Sequence, residues 1–109
     1  MSEDLADRLL LTLDLDGVTD KAALMDRAAR VLTLPGWFGR NWDALADSLG
    51  DPSLWPAPGA ERGLLLVVRG WQAYAEAAPG EWRTAREVFA EAADRTPELA
   101  VALDLGGTS

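Results

Sequence analysis

The chain has 109 residues, enough for one small domain that closes its own core, and its 49% hydrophobic and 26% charged residues give an ordinary globular composition. It contains no cysteine and no histidine, which excludes disulfides, thiolate nucleophiles, Cys/His zinc sites and imidazole acid–base catalysis. Eighteen acidic against ten basic side chains leave a formal net charge of -8, which repels nucleic-acid phosphates and anionic lipid and favours a basic partner.

Residues 1–8 carry three acids and one arginine where an export signal needs a basic start and an apolar run, so no signal peptide is expected. The longest apolar stretches, residues 9–13 and 64–68, are strand-length and far below the roughly 20 residues that span a bilayer. A cytoplasmic protein without membrane contact is expected. Residues 9–15 predict a first strand, whose nearly continuous apolar run suggests burial on both faces. Asp16-Gly17 turns the chain. Thr19 is a candidate N-cap for a first helix in which Ala22, Leu24, Met25, Ala28, Ala29, Val31 and Leu32 recur at helical spacing until Pro35 interrupts. The stretch Pro35-Gly36-Trp37-Phe38-Gly39 is too rich in breakers for regular structure and predicts a shaped loop.

Asn41 is placed to cap a second helix over residues 42–49, closed by Gly50 in a left-handed conformation and by Pro52 beyond it. Residues 51–62 hold three prolines and predict a connector with one helical turn near residues 53–55. Residues 64–68 predict a second buried strand. A short helix over residues 71–78 is expected to stop at Pro79-Gly80, followed by a longer one over residues 81–94 with Trp82, Ala85, Phe89 and Ala92 on one face. Residues 99–105 predict a third strand, ending at Gly106-Gly107 and a flexible tail. Strands joined by helical crossovers run parallel, so the fold class is α/β: one domain over residues 1–109, core about 9–105, with a small three-stranded parallel sheet packed with about four helices.

Two stretches carry candidate chemistry. Leu13-Asp14-Leu15-Asp16-Gly17-Val18-Thr19 resembles the first motif of the haloacid dehalogenase superfamily, in which a nucleophilic and a general-acid aspartate work with magnesium. That chemistry also needs a lysine after a later strand, whereas Lys21, the sole lysine, lies in the first helix, so Asp14 and Asp16-Gly17 read more simply as a strand end and a turn. The second helix is more informative. At about 100° per residue and with Leu45 at zero, Leu49 falls near about 40° and Trp42 near about 60°, while Asp43 and Asp47 fall near about 160° and 200°. The carboxylates face away from the apolar stripe. Like charges at i and i+4 destabilise a helix by about 0.2–0.5 kcal/mol, and Asp47 lies beyond most of the benefit of the positive helix N-terminus. With Trp37 and Phe38 in the preceding loop, one ring facing the core and the other solvent, the acid pair has the composition of a binding face.

The run Leu34-Pro35-Gly36-Trp37-Phe38-Gly39-Arg40-Asn41-Trp42-Asp43-Ala44-Leu45-Ala46-Asp47-Ser48-Leu49 resembles the signature of the barstar family of ribonuclease inhibitors. The family pattern is leucine-proline, an aromatic pair, glycine, any residue, asparagine, a hydrophobic residue, aspartate-alanine-leucine and a second aspartate. The likeness extends to the element order and to Glu87-Val88-Phe89-Ala90-Glu91-Ala92 in the late helix. It implies a non-enzymatic inhibitor with no cofactor, no metal and no catalytic residue, which plugs the active site of a small basic microbial ribonuclease of the guanyl-specific, barnase-like class. A one-to-one complex and a free monomer are expected. The resemblance makes Asp47 the phosphate mimic among the nuclease's basic groups, Asp43 a second charge at that site, Trp37 a packing contact and Glu91 a peripheral charge pair. Phe38, Gly39, Asn41, Trp42, Ala44 and Ala46 fall at contact positions between them. The chain departs from the family's best-known member at Ala46, where that protein has tryptophan, at Arg95, where it has an acid, and at Trp37-Phe38, where it has two tyrosines. These departures leave room for an acidic interaction or immunity module directed at a different basic partner.

Overall fold

The computed structural model describes residues 7–105; the polar N-terminal start and the Gly106-Gly107 tail lie outside the described residues, the former for its first six positions. The elements run β1 (Leu9–Asp14), α1 (Lys21–Leu32), α2 (Trp42–Leu49), a 3-10 turn (Pro52–Leu54), α3 (Gly59–Arg62), β2 (Leu64–Arg69), α4 (Gln72–Ala77), α5 (Pro79–Arg95) and β3 (Leu99–Leu103). The three strands form one parallel sheet in the order β1-β2-β3, with Leu9, Leu64 and Leu99 in register at one end and Leu13, Val68 and Leu103 at the other. The α/β class and the parallel sheet follow the sequence expectation, with one more helix than expected. No helix among the described residues is long and apolar enough to cross a membrane.

Register and alternation sort the strand residues into two faces. Leu13, Leu64, Leu66, Val68 and Leu99 are buried against the helices, in one cluster with Leu24, Met25, Leu45, Leu49, Trp82 and Phe89. The intervening residues share the other face, where Leu65 and Val67 are half-buried and Leu10 is 56% exposed. The expectation that β1 is buried on both faces is therefore corrected: it is an edge strand with one covered side. A leucine run reads the same for either arrangement, because periodicity cannot show what covers the second face.

Several boundaries move for local reasons. Asp20, not Thr19, caps α1, its Oδ1 accepting from Ala23 N–H at 2.9 Å. Gly50 ends α2 at φ -91 and not in the left-handed region, since its N–H still bonds the Ala46 carbonyl at 3.0 Å. Pro79 begins α5 instead of ending α4: its missing N–H costs nothing in a first turn. The connector holds the 3-10 turn, initiated by Asp51 capping Ser53, and also the short α3. β3 stops at Leu103, and Leu105 is exposed.

Three aromatics close the end of the core between α4 and α5. Trp71 stacks on Trp82 with ring centroids 5.1 Å apart, and Tyr74 meets Trp82 edge-on at 6.1 Å. Burial of Tyr74, together with the hydrogen bond its hydroxyl donates to Glu81 at 3.1 Å, pushes its phenol far above the usual range. Trp71 Nε1 donates to the Asp104 carbonyl at 2.9 Å and so pins the end of β3.

Candidate binding face on the second helix

The face begins with a strap of unusual backbone between α1 and α2. Thr33 ends α1 in the left-handed region, at φ 54, and the Leu34 N–H returns to the Ala29 carbonyl at 2.9 Å. A turn follows, closed by Phe38 N–H to the Pro35 carbonyl at 3.0 Å, with Trp37 near its tip. The aromatic pair divides there. Trp37 is 74% exposed, whereas Phe38 is 5% exposed and belongs to the core. Phe38 is therefore corrected from a partner-facing side chain to the anchor that holds the turn down, leaving Trp37 to project.

Arg40 is also left-handed, at φ 52, a conformation that costs a non-glycine residue about 1–2 kcal/mol. Its Nε pairs with Asp26 Oδ1 of α1 at 3.1 Å, so the strained residue is tied to the neighbouring helix. Nothing in the local sequence signals this, because Asp26 lies 14 positions away. Asn41 then does two things. Its Oδ1 accepts from Ala44 N–H at 2.7 Å, capping α2, and its Nδ2 donates to the Gly39 carbonyl at 3.3 Å, holding the loop against the helix start. A Cβ on Gly39 would lie 3.1 Å from that Nδ2, so the cap itself requires glycine or a shift of the cap.

Asn41→Ala is accordingly expected to cost about 1 kcal/mol, within the general range for a lost N-cap, measured by urea unfolding. Asn41→Asp keeps the accepting oxygen and is expected to recover most of that loss. If alanine were as stable as wild type, Asn41 would not be what starts the helix.

In α2 itself Leu45, Ser48 and Leu49 are buried, Ala44 and Ala46 are half-buried, and Asp43 and Asp47 are exposed, as the wheel predicts. Trp42 is half-buried, with Lys21 Nζ 6.0 Å from its ring centroid. Neither Asp43 nor Asp47 has a hydrogen-bond or ion-pair partner among the described residues. Two like charges one helical turn apart thus stand uncompensated among the described residues, on the helix that follows the turn carrying the exposed Trp37. Glu91, likewise exposed and unpaired, lies on α5, against which α2 packs.

The other candidate stretch is a structural joint. Asp14 Oδ1 accepts from Asp16 N–H at 3.0 Å and its Oδ2 pairs with Arg69 at 3.0 Å, so both oxygens are occupied in holding the β1 end to the turn and to β2. The Asp16 amide first, and then the Arg69 and Arg27 charges, hold this carboxyl below the usual range. A depressed carboxyl stabilises the fold above its unfolded pKa and loses that contribution as pH falls through the folded pKa. The stability gap between wild type and Asp14→Asn is therefore expected to be full at neutral pH and to close below about pH 4. Equal gaps at pH 7 and pH 2 in urea unfolding would contradict it. No group of three or more His, Cys, Asp or Glu side chains among the described residues is arranged to hold a metal ion.

Comparison with known families now bears on this geometry. The model of the family Barstar, described as barnase inhibitor, matches residues 8–105. The chain belongs to the barstar family. A comparison with curated proteins finds no match. The matched region takes in the whole sheet, the strap at residues 33–41 and α2, and members of the barstar family are inhibitors rather than enzymes, consistent with the structural role of Asp14.

Proposed function

We propose that this chain inhibits a small microbial ribonuclease of the guanyl-specific, barnase-like class by seating α2 and the turn before it in the nuclease active site. The observation that carries the reading is the pair of exposed, uncompensated carboxylates, Asp43 and Asp47, one turn apart beside the projecting Trp37. A ribonuclease active site concentrates cationic donors to hold the phosphodiester, and a carboxylate presents two acceptor oxygens in a similar planar fork. Asp47 is the phosphate mimic, Asp43 supplies a second charge favoured by the helix N-terminus, and Trp37 provides apolar contact area at small entropic cost. Gly39, Asn41, Trp42, Ala44 and Ala46 frame the contact, and Glu91 adds a charge at its edge. The excess of negative charge steers encounter with a basic nuclease. The complex is one-to-one, needs no cofactor, and acts in the cytoplasm before the nuclease leaves the cell.

The test is titration of the purified protein into a panel of guanyl-specific microbial ribonucleases, following RNA cleavage with wild type and Asp47→Lys side by side. Stoichiometric inhibition by wild type alone is the expected result. Inhibition of none of the panel would set the ribonuclease reading aside. The second reading, an immunity or interaction module for another basic toxin, rests on Ala46 and on Arg95 at the exposed end of α5. Capture of a basic protein without nuclease activity, in a complex that Asp47→Lys abolishes, would select it.

A further inference from the structure

The two edges of the sheet are treated differently. Along β1 the outward carbonyl of Asp14 accepts from Arg27 Nη1 at 2.6 Å, and Arg30 stands beside it, so this edge is guarded by cations of α1. Along β3 no such guard lies among the described residues. Hydrogen bonds from Leu64 N–H to the Glu98 carbonyl and from Asp104 N–H to the Val68 carbonyl, both 2.8 Å, set the phase of the parallel ladder. Even-numbered residues of β3 therefore direct their peptide groups to β2, and Val101 and Leu103 direct theirs outward. Those outward groups have no partner among the described residues. The strand, LAVAL, carries none of the charges or prolines that blunt natural edges.

Beside this open edge α5 leaves a groove of about 470 Å³, floored by Phe89, Val101 and Leu103 and walled by the small Ala90 and Ala93. The groove itself is lined by Arg83, Arg86 and Glu87, and the exposed side of α5 above it has a charge polarity. At about 100° per residue, Arg83, Ala90 and Asp94 share one stripe of α5, with Arg83 and Arg86 at its start and Asp94 at its end. None of these three charges has an ion-pair partner among the described residues. A stripe that is positive at one end and negative at the other is complementary to itself when reversed.

We infer that the β3 edge and the flanking stripe of α5 form a self-association surface, pairing with the same surface of a second copy of this chain about a two-fold axis at Ala102. In that arrangement Val101 of each copy lies opposite Leu103 of the other and exchanges both backbone hydrogen bonds with it, making one continuous sheet. Arg83 of each copy faces Asp94 of the other, Ala90 and Ala93 let the two α5 helices approach, and Glu87 near the axis meets Arg86 across it. A parallel added strand would leave like charges facing, and an acidic peptide would satisfy the arginines but meet the Glu87 carboxylate in the same groove. The groove includes no residue of α2, none of residues 33–41 and not Glu91, so its occupation leaves the residues proposed to face the nuclease outside it. This is an alternative to the expectation of a free monomer and is independent of the ribonuclease reading.

Sedimentation equilibrium of the whole chain from about 1 to about 500 µM, a span that brackets weak homodimers, tests it. Wild type is expected to shift from monomer to dimer mass across that range. Leu103→Lys, and separately Ala90→Arg on the exposed helix surface where folding is not at risk, are expected to raise the dissociation constant at least about tenfold. Arg83→Glu is expected to weaken association, and Arg83→Glu with Asp94→Arg to restore it. All these variants are expected to inhibit ribonuclease as wild type does, so failure of either idea is read separately. A monomer at every concentration overturns the inference, as does a dimer indifferent to Leu103→Lys and Ala90→Arg, which would place association on another surface. A dimer those two variants break, but which the charge swap does not restore, overturns the antiparallel arrangement.

Discussion

Asp47→Lys is expected to abolish ribonuclease inhibition while leaving the fold as stable as before or slightly more so. The two effects have opposite physical origins. Within the isolated protein Asp47 is exposed, without an ion-pair partner among the described residues and one turn from Asp43, so it contributes repulsion and poor helix propensity. Lysine there removes a like-charge pair and forms an i,i+4 opposite pair with Asp43, worth about 0.2–0.5 kcal/mol for each change. In the proposed complex the same position would sit where the nuclease holds phosphate, and a cation there would meet cations with little solvent between them. Truncating a residue of this kind typically costs about 2–4 kcal/mol, roughly 30- to 1000-fold in affinity, and charge reversal costs more. That range is the general one for interface hot spots, and barstar complexes are among the systems that define it. Urea unfolding and inhibition titration on the same preparation check both halves. A variant that inhibits with wild-type affinity would remove Asp47 from the centre of the site.

Leu45→Ala tests the opposite face of the same helix. Leu45 is fully buried in the cluster formed by the sheet and the helices and is the residue from which Asp43 and Asp47 diverge on the wheel. Removing its side chain deletes apolar contact area and leaves a space that the surrounding close packing fills only in part, a loss of about 2–5 kcal/mol. For a domain of this size that corresponds to a fall of roughly 10–30 °C in melting temperature. The molecules that remain folded still carry Asp43, Asp47 and Trp37, so inhibition per folded molecule is expected to be unchanged at low temperature. Thermal unfolding by circular dichroism and an inhibition titration at 10 °C, well below the lowered midpoint, separate the two. A loss below about 1 kcal/mol would mean that α2 is held by the cap and the strap instead of by its buried stripe.

Taken together, the variants divide α2 by side. Asn41 starts it, Leu45, Ser48 and Leu49 hold it to the core, and the opposite face is released from any structural duty. Two carboxylates can remain side by side at little cost because both are solvent-exposed in the free protein. The strap at residues 33–41 adds position. With left-handed residues at both ends, an aromatic anchor at Phe38 and an arginine clamp to α1, it fixes where Trp37 projects relative to the carboxylates. Order of this kind before binding reduces what association must spend on loop entropy.

What could be read from the sequence was whatever depends on neighbours along the chain. The limits of α2, its cap at Asn41 and the separation of Leu45 and Leu49 from Asp43 and Asp47 follow from helical spacing and side-chain chemistry within one segment, and the structure reproduces them residue for residue. The parallel sheet followed from helical material in each crossover, and the family from one contiguous motif. What the tertiary structure alone decided involves groups far apart in the chain. Which ring of Trp37-Phe38 is buried depends on the pocket that other elements provide. The left-handed Arg40 persists through Asp26 on another helix. The leucines of β1 fit two covered faces as well as one because their pattern is silent about what packs above and below them, and only the assembled sheet places β1 at an edge, with Arg27 bonded to its outward carbonyl. Local chemistry sets elements and caps, whereas faces, edges and clamps exist only once separate elements meet.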